Sequence, residues 1–133
     1  MIFLKNYYVA TTKEIDVISI HSEVKYALHD SKAKKGLLTI TLPESGGGVV
    51  VLDSYPDRVA ELKKSLSLNS PLQREFLGVS LSLPFEEENL KIGPRRNLYI
   101  IDFSDTAKRR EFWIQIFAEE EPKRGGTAKP QRR

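Results

Sequence analysis

Apolar residues along the chain recur at two different spacings. Leu38, Ile40 and Leu42 alternate with Leu37, Thr39 and Thr41, the two-residue period of a strand. Val79, Leu81, Leu83 and Phe85 do the same around Ser80 and Ser82. The run "VVVL" at 49–52 is short, continuous and β-branched, which predicts a strand buried on both faces. Residues 95–103 and 110–117 read as two further strands, with "SDTAK" as the turn between them. At the start, residues 3–10 and 15–20 flank "TTKE" and predict a hairpin. Another short strand is expected near "NLKI" (89–92), with the acidic run at 86–88 as a hairpin turn.

Two segments change to the helical period. Val24, Ala27 and Leu28 follow Ser22, an expected N-cap with Glu23 in the first turn. Gly36 suits the left-handed position that closes such a helix. In the second, Ser54 is the expected N-cap, Pro56 and Asp57 fill the first turn, and Val59, Leu62 and Leu66 form the apolar stripe. The resulting order, β-β-α-β-β-α-β-β-β, lacks a regular β-α alternation and is not strands alone, so the class is α+β. One domain is expected over 1–122, followed by a basic tail.

That tail changes the meaning of the charge. The chain carries a formal +3, but residues 123–133, "KRGGTAKPQRR", hold five basic residues and no acid. Taking five from +3 leaves −2 for the body. Glycine, proline and charge without large apolar residues predict a disordered, solubilising terminus. Nucleic-acid binding through the tail is a minor reading, because the body shows no basic stripe interleaved with aromatics. Zero cysteines exclude disulfides and thiolate chemistry. No apolar run approaches a membrane span and no signal-peptide pattern opens the chain, so a cytoplasmic location is expected. Abundant Lys and Glu with few thermolabile residues give a thermophile-like composition.

Candidate chemistry is sparse. His21 and His29 are the only histidines, and their spacing of eight does not set them on one helix face as a metal pair. No metal or other cofactor is expected. The stretch "LPESGGGVVVLD" (42–53) stands out, since three adjacent glycines either turn the chain or bring bare backbone N–H groups to an anion.

Taken together, "GLLTITLP", a loop, "VVVL", a helix and then "GVSLSLP…LKIG…LYIIDF…RREFWI" resemble the YjbQ family, described as secondary thiamine-phosphate synthase-like. The resemblance runs over about residues 13–117 and rests on order and spacing more than on identities. It implies small sheets packed as a sandwich with two helices, and a homotrimer with sites near subunit contacts. Tyr7, Tyr8, Tyr99 and Trp113 are the expected interface anchors.

The family's site pattern is altered in this chain. Pro43 is kept, but Glu44 stands at the histidine position, Ser45 keeps one hydroxyl, and Gly46, Gly47 and Gly48 fill the rest. Asp53 and Ser54 replace an asparagine-glutamate pair, Pro71 falls at a second histidine, Arg95 and Arg96 replace tryptophan-glutamine, and Asp102 replaces a glutamate. Proline has neither an ionisable group nor a backbone N–H to substitute for imidazole. Two readings follow. One is a catalytically degenerate member that keeps the trimeric scaffold for a structural or ligand-binding role. The alternative is an enzyme or binder for a phosphorylated small molecule. It would use Glu44 as a catalytic base and a pocket built from Ser45, Gly46, Gly47, Gly48, Asp53, Arg95, Arg96 and Asp102.

Overall fold

The computed structural model describes residues 1–12, 15–68, 77–103 and 106–119. Pro71 and the basic tail lie outside the described residues. Among the described residues, eight strands and two helices occur in the order β1 (Ile2–Ala10), β2 (Asp16–Ser19), α1 (His21–Ser31), β3 (Lys35–Thr41), β4 (Gly47–Asp53), α2 (Pro56–Leu68), β5 (Ser80–Glu86), β6 (Asn89–Leu90), β7 (Arg96–Asp102) and β8 (Arg109–Ala118). They form a five-stranded sheet, β1-β8-β3-β5-β6, and a three-stranded sheet, β2-β7-β4, with every pairing antiparallel. This is the α+β class that the pattern predicted, with the two packed sheets and two helices that the family resemblance implied. No helix among the described residues is long and apolar enough to cross a membrane.

The chain repeatedly steps from one sheet to the other, and this corrects two pairings. The first two strands are not a hairpin: β1 lies beside β8 in the large sheet, while β2 lies beside β7 in the small one. Likewise, β7 and β8 belong to different sheets. The β5–β6 hairpin does form, with Glu87 and Glu88 at its tip in left-handed conformations (φ 53° and 65°). A two-residue loop with both φ positive matches the twist of the flanking strands.

The core lies between the sheets. Phe112, Ile114 and Ile116 of β8, with Leu38 and Ile40 of β3, face Leu98 and Ile100 of β7. Helix α1 adds Val24, Ala27 and Leu28 and touches β1, β8 and β7. Tyr99 and Ile101 are buried outside this cluster, as is Leu66 of α2, which packs on β2 and β4. In "VVVL" only Val49 is fully buried; the other three residues are half-buried, and the strand already begins at Gly47.

Helix ends also differ from expectation. Ile20, not Ser22, is the N-cap of α1, and Lys32 takes the left-handed C-cap at φ 58°. Gly36 lies instead within β3, where a Cβ would collide with the carbonyl oxygen of Phe117. The Tyr55 carbonyl accepts the first bonds of α2, from the amides of Arg58 and Val59, which leaves Pro56 as the first helical residue. Ser54 turns its hydroxyl away, donating to the carbonyl of Arg95 at 3.1 Å.

Candidate functional site

The candidate residues fall at the two ends of β4. Gly47 is opposite Asp102 in the β4–β7 register, and Asp53 is opposite Arg96. Six residues of extended strand separate these ends by roughly 20 Å. The glycine loop and the arginine pair therefore do not converge within one chain into the phosphate pocket outlined from sequence.

At the glycine end the centre is Arg110, which the sequence reading did not single out. Arg110 and Asp102 are both fully buried, and Arg110 Nε donates to Asp102 Oδ2 at 2.6 Å. The other two nitrogens of the fork, Nη1 and Nη2, donate to the carbonyl oxygens of Glu44 and Ser45, each at 3.1 Å. One guanidinium thus ties β7 to the loop entering β4. A buried cation needs a paired carboxylate and further acceptors to offset lost hydration, and all of its nitrogens have them.

The glycines take their places around this fork. Gly46 has φ 85°, and its carbonyl accepts the Phe103 amide at 2.9 Å. A Cβ on Gly47 would sit 2.7 Å from the Ile101 carbonyl oxygen and 3.2 Å from Arg110 Cζ. A Cβ on Gly48 would meet Leu77 Cβ at 2.8 Å and the Gly78 carbonyl oxygen at 3.2 Å. Close packing against the fork and the neighbouring backbone accounts for both glycines. Glu44 and Ser45 are exposed, held by their carbonyls rather than their side chains.

The far end is open. Arg96 Nε faces Asp53 Oδ1 at 3.4 Å, with the side chains 56% and 39% exposed. Arg95 is left-handed at φ 59°, and its Nη1 donates to the Tyr55 hydroxyl at 2.6 Å. Arg96 also borders a cleft of about 200 Å³ between α1 and the start of β7, into which His21 also opens. His29 is beyond it, with Nδ1 3.5 Å from Glu88 Oε1. Among the described residues no group of three or more His, Asp or Glu is placed to hold a metal ion.

Solved structures with this fold include a YbjQ-like protein of unknown function from Sulfolobus solfataricus P2, 18% identical with a TM-score of 0.81, covering 90% of this chain and 99% of that one. An uncharacterised conserved protein of the yjbq/upf0047 family from Clostridium acetobutylicum is 19% identical with a TM-score of 0.76, covering 85% and 99%. A hypothetical protein from Aeropyrum pernix K1 is 16% identical with a TM-score of 0.77, covering 88% and 99%. No curated protein matches the sequence at a significant level. The family model described as "UPF0047 protein YjbQ-like" matches residues 5–119, nearly the whole described fold, and the chain belongs to the YjbQ family.

Proposed function

We propose that this protein is a catalytically degenerate YjbQ-family member that keeps a trimeric scaffold for a structural or ligand-binding role. One observation carries the reading. The Arg110 fork spends every nitrogen on Asp102 and on the carbonyls of Glu44 and Ser45, so the residues nearest the altered site motif serve the fold. Glu44, the one ionisable group at the first histidine position, is exposed to solvent rather than enclosed in a pocket with a reacting group. The assay is thiamine-phosphate formation by the purified protein, with and without added divalent metal. No turnover is expected. Robust turnover abolished by Glu44→Gln would overturn the reading and make Glu44 the base.

Support for self-association comes from the outer face of the large sheet. Ile2, Phe117, Leu37 and Pro84 are consecutive cross-strand neighbours on β1, β8, β3 and β5, and all four are exposed. Leu4 extends this apolar row, and Tyr8 and Trp113 lie further along the same face. Tyr8 and Trp113 therefore remain anchor candidates. Tyr99 is 7% exposed and Tyr7 stacks inward on Phe112, so neither has much surface to offer a partner. Sedimentation equilibrium at micromolar concentration should give a trimer that Phe117→Asp weakens. A monomeric wild-type protein would remove the scaffold from the proposal.

A further inference from the structure

The cleft between α1 and β7 has a different character from the glycine end. Its floor is apolar: Val24 and Leu28 of α1 and Leu98 of β7 are each 3% exposed or less. Its rim carries basic side chains. His21 and Lys25 are one turn apart on α1, and Arg96 faces them from β7. Lys25 has no carboxylate partner among the described residues. Arg96 Nε lies 3.4 Å from Asp53 Oδ1, and among the described residues the two terminal nitrogens of its fork make no hydrogen bond. The lining also holds one carboxylate, Glu88, whose Oε1 lies 3.5 Å from His29 Nδ1.

We infer that this cleft is a binding site for a small amphipathic organic anion, an apolar body about the size of one ring bearing a carboxylate or phosphate. Its volume of about 200 Å³ sets the size of the body, since an apolar cavity of about 150 Å³ accommodates benzene. A planar guanidinium with two free nitrogens suits paired anionic oxygens, and Lys25 supplies a second point charge across the opening. Apolar walls with a few convergent polar groups are the usual make-up of a ligand pocket. Neither the Arg110 fork nor the trimeric scaffold is needed for this site, so its failure would leave the proposed function standing.

Two probes on the full chain separate the two anionic groups: benzoate and phenyl phosphate, titrated while backbone amide chemical shifts are followed. At least one should saturate with a dissociation constant on the order of 1 mM, shifting the amides of Lys25, Arg96 and Asn97. The better probe identifies the anionic group. Benzyl alcohol and inorganic phosphate, each lacking one half of the proposed ligand, should bind at least about fivefold more weakly. Lys25→Ala and Arg96→Ala alter exposed side chains, so the fold should persist while affinity falls by about fivefold or more for each. The site is overturned if neither probe saturates, if the shifts fall elsewhere, if inorganic phosphate does as well as phenyl phosphate, or if both variants bind like the wild type.

Discussion

The two ends of β4 carry the same kind of pair, an arginine beside an aspartate, in opposite surroundings. At one end Arg110 and Asp102 are fully buried, 2.6 Å apart, and saturated with backbone acceptors. At the other, Arg96 and Asp53 are 3.4 Å apart in water, with most of the guanidinium uncommitted. In the first place the charge pair is part of the framework. In the second it costs little to rearrange and is available to a ligand. Burial, more than residue type, separates the two roles.

The largest test of this contrast is truncation at the buried end. Asp102→Ala should cost about 3–5 kcal/mol of stability in urea unfolding, because it strands a desolvated guanidinium. A loss below about 1 kcal/mol would mean that water reaches the pair. Gly47→Ala should cost about 1–3 kcal/mol, since the added methyl meets the Ile101 carbonyl and the Arg110 guanidinium. At the open end Asp53→Ala should cost no more than about 1 kcal/mol, in keeping with an exposed pair. A larger cost there would erase the distinction between the ends.

Arg110 shows how far the sequence could be read. The strand over 110–117 was evident from its period, and that alternation places Arg110 on the same face as Phe112, Ile114 and Ile116. A cation continuing an apolar face is the signal of a buried pair, and Asp102 continues the Leu98 and Ile100 face of β7 in the same way. Which strands paired was not legible, because local alternation carries no information on sheet membership, and consecutive strands mostly change sheets. The glycines were conspicuous in the sequence, but the atoms that require them, on Ile101, Leu77, Gly78 and Arg110, are distant along the chain. The cleft was hidden for the same reason: α1, the β6 region and β7 contribute its walls.

The smallest effect concerns a buried polar atom that, unlike Arg110, has no partner. The Tyr7 hydroxyl is buried without a hydrogen bond among the described residues. Its pKa is raised above 10.0, first by burial and then by the nearby carboxylates of Asp30 and Glu23. The folded state therefore holds this proton more tightly than the unfolded chain. Its contribution to stability is complete below pH 10 and is lost as pH rises through the folded pKa. Tyr7→Phe should be neutral or stabilising by up to about 1 kcal/mol at neutral pH and should flatten that alkaline decline. Destabilisation beyond about 1 kcal/mol would reveal a hydrogen bond to the hydroxyl.

The claim that the altered site motif now serves the fold is tested most directly by a double-mutant cycle in urea between Asp102→Leu and Arg110→Met. Each single variant strands one buried charge, whereas the double variant removes both and fills the space with apolar atoms. The double variant should be more stable than either single, with a coupling energy of about 2–3 kcal/mol. Additive losses, with coupling below about 0.5 kcal/mol, would contradict a shared structural role and return Asp102 and the glycine loop to the list of groups available for a ligand.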